Sequence, residues 1–238
     1  MATVSSVNGN ILKGVDVFDT GDIKNIGGID EFTKLMLHFD GSDGYTTFID
    51  SEISAKTVTV AGNTKISTTQ SKFGGSSCYF DGTTDYLSIA DSDDWDMGTG
   101  DYTIDFWIYG SNLAADQVLM GTKYNANGWF LGVYAGTLYF YANTTSIFTA
   151  GVTHNMSNNT WHQIELSRNA GIFTFRVDGK TVGTATYSTS IAGCTFPLLI
   201  GQRTDGYGFT GWLDEVRFSK GICRHFTDYI PPKCPYTT

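Results

Sequence analysis

Hydrophobic and polar side chains alternate most regularly in Tyr102–Tyr109, which reads YTIDFWIY. Large apolar residues occupy every second position of this segment, and a more polar set lies between them. Successive side chains of a β-strand point to opposite faces of the sheet. The period therefore predicts a strand with one face in a hydrophobic core.

Further runs of β-branched, aromatic and aliphatic residues recur at roughly 8 to 15 residues and are separated by turns. Asp178-Gly179 predicts a tight hairpin, and no stretch has the period of a helix of three turns. The chain is therefore predicted to be all-β, a two-sheet antiparallel β-sandwich or jelly roll. Other strands are expected at Leu35–Phe39, Gln117–Gly121, Gly128–Tyr134, Thr137–Ala142, Trp161–Leu166, Gly171–Val177, Thr181–Ala185, Pro197–Ile200 and Gly211–Phe218.

The last long strand, GWLDEVRFS at Gly211–Ser219, carries an acid in an awkward position. If Trp212 and Val216 point into the core, strict alternation places Asp214, which lies between them, there as well. A buried carboxylate is costly unless it is paired, hydrogen-bonded or bound to a metal. Asp214 is therefore expected to have a partner that ties the two ends of the fold together.

The chain has 238 residues, of which 41% are hydrophobic and 14% aromatic, enough for a sizeable core in one sandwich. Its formal net charge of −9 argues against nucleic acid and anionic membrane surfaces as partners. No run reaches the roughly 18 apolar residues of a membrane-spanning helix. The N-terminus lacks the pattern of a secretory signal, so synthesis in the cytoplasm without a signal peptide is expected.

Residues 1–34 differ from the strand-rich region that follows them. Two motifs, VSSVNG at Val4–Gly9 and IKNIGG at Ile23–Gly28, each place a pair of β-branched residues before a turn signal. Such a segment is too short to bury its own apolar face. It is either a disordered leader or, as we favour, an arm that packs on another subunit. Residues 35–222 are expected to form the sandwich, and the Pro-rich residues 223–238 a strap over its surface.

The four cysteines have neither CxxC nor zinc-site spacing. We expect reduced thiols, some of them buried as small hydrophobic side chains. The alternative is a Cys223–Cys234 bridge that staples the tail, which requires the tail to fold back.

Five segments, taken in order, carry a resemblance to a known family. They are SKFGGSSCYFDGTTDYLSI at Ser71–Ile89, DYTIDFWI at Asp101–Ile108, NTWHQIELSRNAGIFTFRVDGK at Asn159–Lys180, PLLIGQ at Pro197–Gln202 and FTGWLDEVRFSKGI at Phe209–Ile222. The chain resembles the laminin-G-like, concanavalin A-like jelly-roll family, especially the form found in bacteriophage virion proteins. The resemblance covers about residues 35–222 and implies two opposed antiparallel sheets of six or seven strands each.

Many members of that family hold calcium near the meeting point of the first and last strands. Carried over residue by residue, the resemblance implies Asp50 and Asp214 as ligands, with Asp40 as a further candidate. Calcium takes six to eight oxygen ligands, which carboxylates and backbone carbonyls supply. Here Ser51–Ala55 stands where relatives often carry a Ser-Gly-Asn-rich loop. Without a metal, Asp214 is expected to accept backbone N–H bonds or to pair with Arg or Lys.

Glucanases of this fold carry paired carboxylates on alternate residues of one strand. Here Asp101 and Asp105 lie four positions apart, and neither has a second acid two positions away. We therefore expect a protein without enzymatic activity.

One hypothesis is a carbohydrate-binding adhesin or receptor-binding module. Sugar sites on this fold use loop aromatics with Asn, Asp and Arg nearby. Two loops carry such sets: Tyr124, Asn125, Asn127 and Trp129 in the first, and Arg203, Asp205 and Tyr207 in the second. The same composition is also ordinary turn chemistry, and Trp129 begins an expected core strand.

The hypothesis that we favour from the sequence is a bacteriophage virion structural protein of the capsid decoration, cement or fibre type. The resemblance, the acidic composition and the leader motifs support it. Residues 1–34 would contact other virion proteins while the sandwich faces outward from the particle. Cell-surface glycans and further copies of the chain are additional partners compatible with this role.

Overall fold

The computed structural model describes residues 28–123, 127–203 and 205–237. This part of the chain forms β-strands and one short 3₁₀ helix, at Asp93–Trp95. It contains no helix long and apolar enough to cross a membrane. In chain order the strands are β1 (Thr33–Leu37), β2 (Val58–Ala61), β3 (Lys65–Ser67), β4 (Ser77–Asp81), β5 (Tyr86–Ile89), β6 (Tyr102–Tyr109), β7 (Gln117–Gly121), β8 (Trp129–Tyr134), β9 (Thr137–Ala142), β10 (Thr145–Ser146), β11 (Val152–Thr153), β12 (His162–Asn169), β13 (Ile172–Val177), β14 (Lys180–Thr186), β15 (Leu198–Ile200) and β16 (Thr210–Lys220).

The strands build two antiparallel sheets that face each other. Sheet I has the order β14-β13-β12-β6-β16-β4-β3, with β1 also paired to β16. Sheet II has the order β10-β9-β8-β7-β15-β5-β2, with β11 also paired to β9. The predicted all-β antiparallel sandwich is confirmed. Among the described residues each sheet has eight strands, where the resemblance implied six or seven.

The hydrophobic core lies between the sheets and follows the alternation expected from the sequence. In β6, the apolar residues at every second position from Tyr102 to Ile108 are at most 1% exposed. On β16, the ring of Phe218 lies 5.8 Å from that of Trp129 in β8 of the opposite sheet. Burial of one such side chain stabilises the fold by roughly 1.5–3 kcal/mol. These facing residues therefore hold the two sheets together.

β16 departs from strict alternation through a β-bulge. Leu213 and Val216 both belong to the core although they lie three positions apart, and the register with β6 shifts after Asp214. At the bulge, Glu215 has a φ of 51°. The interpretation that Trp212, Asp214 and Val216 share the core face is therefore wrong. The extra residue leaves Trp212 and Asp214 on the outer face of sheet I, the face turned away from sheet II.

The centre of the outer face of sheet I is buried and charged. Arg217 has no exposed surface, and its Nε donates to Oδ2 of Asp105 at 3.1 Å. Beside this pair, Nη1 of Arg176 donates to Oε1 of Glu165 at 2.7 Å. Charged side chains are almost never fully buried unless they are paired. The centre of this face can therefore be buried only because opposite charges on neighbouring strands pair with each other.

The residues that follow β16 cover this charged face. The hydroxyl of Tyr236 donates to Asp105, and the Tyr236 backbone N–H donates to Oε2 of Glu215 at 2.8 Å. The Nδ1 atom of His225 bonds to Glu165. The C-terminal segment thus lies on the sandwich as an integral layer and supplies hydrogen bonds to the buried carboxylates.

Residues 28–34, which were predicted to belong to the arm, pack against the C-terminal segment. Arg224 bonds to Asp30 at 2.8 Å. The first strand begins at Thr33, two residues before the expected start of the sandwich. Residues 1–27 of the predicted arm lie outside the described residues.

All four cysteines are free. The thiol of the buried Cys223 donates to the carbonyl oxygen of His225 at 3.2 Å, whereas Cys234 is exposed. The alternative Cys223–Cys234 bridge is therefore not formed, because the Cys223 side chain is turned into the fold.

Arg217→Met is expected to lower the free energy of unfolding by about 3–5 kcal/mol, because it leaves Asp105 buried without its cation. Urea unfolding followed by tryptophan fluorescence measures this loss. Adding Asp105→Asn to the variant should recover a large part of the stability.

The matched control is Lys180→Met, which removes the cation of the exposed Lys180–Asp228 pair. Exposed pairs contribute little to stability, so its unfolding midpoint should stay close to that of the wild type. Equal losses in the two variants would contradict the role given to the buried pair.

Candidate functional site

A groove of about 260 Å³ opens on the outer face of sheet II, across β7, β8 and β9. We call it the aromatic groove. Five rings dominate its lining, and three polar side chains stand among them. The rings are Phe130, Tyr134, Tyr139, Tyr141 and Tyr207, the polar side chains are Asp116, Gln117 and Arg203, and Val118, Gly132 and Val133 complete the lining.

Strand alternation puts these rings outside the core. In β9, Leu138 and Phe140 have no exposed surface and belong to the core. The residues that follow each of them, Tyr139 and Tyr141, point to the opposite face and line the groove. One strand thus contributes to the core with one face and to the candidate site with the other.

Three of the rings form a stack. The rings of Phe130 and Tyr141 are 4.9 Å apart with 5° between their planes. Tyr141 and Tyr139 follow at 6.0 Å and 22°. Tyr134 stands at 86° to Tyr139 and is 57% exposed. The groove therefore offers nearly parallel rings with a side wall that solvent reaches.

Gly132 keeps the floor of the groove open. A Cβ atom at this position would lie 2.6 Å from the carbonyl oxygen of Gln117 in β7. No side chain fits there unless β7 moves. The open floor lies between Phe130 and Tyr134, whose side chains flank it on the same face of β8.

Arg203 closes one end of the aromatic groove and is held from three sides. Its guanidinium carbon lies 4.8 Å from the centre of the Phe130 ring and 4.7 Å from that of Tyr207. Its Nη2 donates to Oδ2 of Asp205 at 2.7 Å, and its Nε donates to Oδ1. The guanidinium thus lies over two rings and is paired with a carboxylate two positions along the chain.

The structure brings the second predicted loop set to the groove. Arg203 and Tyr207 belong to its lining, and Asp205 reaches it through Arg203. Of the first predicted set, the structure describes only Asn127 and Trp129, and neither lines the groove. Asn127 is exposed just before β8, and Tyr124 and Asn125 lie outside the described residues.

The prediction that Trp129 stacks on a sugar ring is wrong. It is 1% exposed, and its indole N–H donates to the carbonyl oxygen of Trp95 at 2.9 Å. The reason is register, because Phe130 occupies the outward position of β8 and Trp129 must then face the core.

The sequence reasoning missed Phe130, Tyr134, Tyr139 and Tyr141. A signal was present in β9, which reads TLYFYA, with two tyrosines alternating against Leu and Phe. When a strand has aromatic residues at successive alternating positions, only one of its two faces can be in the core. The rings on the other face, here those of the two tyrosines, predict an aromatic outer surface.

The three aspartates that the resemblance implied for calcium have different hydrogen-bond partners. Asp50 accepts N–H bonds from Met36 and Glu52 through Oδ1 and from Lys56 through Oδ2. Asp214 bonds to the turn at residues 72–73, and Asp40 is exposed.

The part of the chain that the structure describes contains no group of three or more His, Cys, Asp or Glu side chains suited to a metal ion. Calcium binding by these aspartates stays a prediction.

Asp214 has instead two backbone N–H partners, one of the alternatives expected for it without a metal. Its Oδ2 accepts from Lys72 at 2.8 Å and from Phe73 at 3.1 Å. Its Oδ1 has no hydrogen-bond partner among the described residues. Burial raises the pKa of Asp214 to about 8, since the two N–H bonds offset the loss of solvation only in part. Asp214 is thus a buried, protonated acid at neutral pH.

The fold and the groove define a lectin-like sandwich domain. The family described as the concanavalin A-like lectin/glucanases superfamily (Laminin_G_3) matches residues 81–223, more than half of the chain. The chain belongs to this family. A search of curated protein sequences found no match.

Several solved structures have the same fold. Domain 4 of AbnA, an extracellular arabinanase of Geobacillus stearothermophilus in complex with arabinotriose, has a TM-score of 0.61 and 14% identity, over 81% of this chain and 94% of that domain. The botulinum neurotoxin serotype G binding domain has a TM-score of 0.59 and 14% identity, over 80% of this chain and 48% of its own. The binding domain of botulinum neurotoxin DC, in complex with SialylT, has 0.58 and 16%, over 82% and 49%. This chain spans about half the length of the neurotoxin binding domains. At these identities the likeness shows the fold alone.

Asp214→Asn is expected to change the pH dependence of stability. Between about pH 4 and about pH 8 the folded protein keeps a proton on Asp214 that the unfolded chain releases, so this residue lowers stability as the pH rises through that window. Asparagine does not ionise. The variant should melt close to the wild type at the acidic end and at higher temperature above about pH 8.

Melting temperatures measured by calorimetry across that window check this expectation. A difference between variant and wild type that stays constant with pH would contradict the raised pKa of Asp214.

Proposed function

We propose that this chain is a carbohydrate-binding module whose aromatic groove stacks against the faces of sugar rings. The supporting observation is the group of rings on an open sheet face, in which Tyr134 is 57% and Tyr207 is 49% exposed beside the stack of Phe130, Tyr141 and Tyr139. A sugar ring has an apolar face of C–H groups and an edge of hydroxyls. Aromatic rings pack against the face, while polar groups at the rim of the groove bond to the edge.

The size of the groove fits this mode of binding. Its volume of about 260 Å³ is just below the roughly 300–1,000 Å³ of sites that enclose a small molecule. An open, shallow groove accepts one side of an extended ligand and leaves the other in water. That geometry suits a short stretch within an oligosaccharide.

The rim supplies polar partners for hydroxyl groups. Asp116 uses Oδ1 to accept from the backbone N–H of Ala135 at 2.9 Å, and each oxygen of Asp205 accepts one bond from Arg203. A carboxylate oxygen has room for more than one hydrogen bond. Both acids therefore keep acceptor capacity for a ligand.

The comparisons support the same class of function. Domain 4 of AbnA is in complex with arabinotriose, and the neurotoxin DC binding domain is in complex with SialylT. The arabinotriose complex thus joins a domain of this fold to a sugar ligand, whereas this chain matches only 49% of the neurotoxin chain that is in complex with SialylT. The proposal for this chain rests on its own groove, since the identities are 14% and 16%.

Binding without turnover is part of the proposal. The lining is mainly aromatic, and of its charged side chains Asp116 accepts a bond from Ala135 while Arg203 pairs with Asp205. Hydrolysis of a glycosidic bond needs two carboxyl groups that flank it, one of them ready to give a proton.

Display of this module on a phage particle stays a prediction from the sequence. That prediction assigns contacts with other virion proteins to residues 1–34, most of which lie outside the described residues. A glycan-binding sandwich is compatible with such display, and the groove carries the proposed function in either setting.

Tyr141→Ala and Tyr139→Ala should each weaken glycan binding about tenfold or more, because each removes a ring of the stack. An array of plant, bacterial and animal oligosaccharides that includes arabinotriose identifies the tightest probe. Calorimetric titration of that probe then gives the affinity of each variant.

Tyr79→Ala is the matched control. Tyr79 is a partly exposed tyrosine on the outer face of sheet I, where its ring lies 4.9 Å from that of Trp212. Its loss should leave the affinity unchanged. Failure of the wild type to bind any probe, or equal losses in all three variants, would overturn the proposal.

A further inference from the structure

The cation at the end of the aromatic groove is neutralised by the chain itself. Arg203 gives two hydrogen bonds to Asp205, one from Nε and one from Nη2. The ring of Tyr207 packs on one side of the guanidinium and that of Phe130 on another. Fork-to-fork pairing of this kind is the geometry that arginine also uses to bind an acidic ligand.

We propose that Asp205 determines the charge of the ligand, so that the aromatic groove takes uncharged, hydroxyl-rich glycans and rejects those that carry carboxylates. The inference rests on the proposed function and deepens it. Asp205 occupies the position on Arg203 that the carboxylate of a sialic or uronic acid would take. It acts as an internal substitute for an acidic ligand.

The competition favours Asp205. It lies two positions from Arg203 in the chain, so its effective concentration at the guanidinium is far above that of any ligand in solution. The contacts of the guanidinium with the rings of Phe130 and Tyr207 restrain it further. An acidic glycan would have to break a two-bond pair and leave Asp205 facing its own carboxylate.

The remaining charges act in the same direction. Asp116, in the groove lining, adds a second carboxylate to that of Asp205. The whole chain has a net charge of −9, which repels anions at longer range. Lys123, in an adjoining hollow, has its ammonium 3.5 Å from the centre of the Phe196 ring, which lies outside the groove lining.

Hydrogen-bond chemistry selects the same ligand. Asp116 and Asp205 offer acceptors to the rim, and a carboxylate has no hydrogen to donate. Sugar hydroxyls donate, whereas an ionised carboxylate of a ligand only accepts. A neutral glycan therefore matches the rim in both charge and hydrogen-bond direction.

The test compares matched neutral and acidic probes on the full chain. Lactose is paired with sialyllactose, and a galactose trisaccharide with a galacturonic acid trisaccharide, within a broader array. The wild type should favour the neutral member of each pair that it binds. Its affinity for that member should change less than about twofold between about 50 mM and about 500 mM NaCl, because no ion pair forms with the ligand.

Asp205→Asn removes the carboxylate that pairs with the Arg203 guanidinium and should shift the acidic-to-neutral affinity ratio toward the acidic probe by about fivefold or more. Adding Arg203→Gln to this variant should cancel the shift, and Asp205→Glu should retain the neutral preference of the wild type. Asp228→Asn makes the same charge change on the C-terminal segment, at an acid outside the groove lining, and should leave the ratio unchanged.

The outcomes separate this inference from the proposed function. A wild type that binds no probe would overturn both. A wild type that prefers acidic probes, or an Asp205→Asn variant whose ratio does not move while its neutral binding persists, would overturn the role of Asp205 alone. An acidic preference that disappears in Lys123→Gln would overturn it as well and would assign charge recognition to Lys123.

Discussion

The buried ion pair between Arg217 and Asp105 is the interaction on which the rest of this structure depends. The bulge at Glu215 sets the register that puts Arg217 beside Asp105 on the outer face of sheet I. Burial alone would lower the pKa of Arg217, but the adjacent Asp105 raises it, so the guanidinium keeps its charge. Tyr236 completes the arrangement, with its ring 3.8 Å from the guanidinium carbon and its hydroxyl bonded to Asp105.

This pair gives the C-terminal segment a defined place. Glu165 is buried, which by itself would raise its pKa, but its bonds to His225 and Arg176 lower the pKa and keep it ionised. The ring of His225 in turn stacks on Tyr229 at 3.5 Å. Hydrogen bonds to buried charges are directional, and a buried charged group without a hydrogen-bond partner destabilises the fold. The C-terminal segment therefore covers the outer face of sheet I in one defined position.

The two sheets consequently present different outer faces. The C-terminal segment covers the centre of sheet I, where β6 and β16 are buried on both sides. The outer face of β7 to β9 in sheet II has no such cover among the described residues, and its rings line a groove. Exposed aromatic rings rimmed by polar groups are typical of an interaction surface. The tail thus leaves the outer face of sheet II as the open one, because it occupies the equivalent surface of sheet I.

The sequence by itself determined the class of fold and one end of the site. Period-two alternation in Tyr102–Tyr109 depends only on the geometry of the pleat, so the core face that it predicts is the one observed. Arg203, Asp205 and Tyr207 were recognised as a set because a short loop keeps neighbours in sequence close in space.

The tertiary structure decided which faces are covered and where alternation breaks. A bulge adds one residue to a strand without any mark in its composition, and for that reason Asp214 was assigned to the wrong face. Trp129 and Phe130 are adjacent aromatic residues on opposite faces of β8. The first is a core residue and the second lines a groove only because the Trp129 face of β8 is the one turned toward sheet I. Pattern within a strand tells which side chains share a face, but what lies over that face depends on segments far away in the chain.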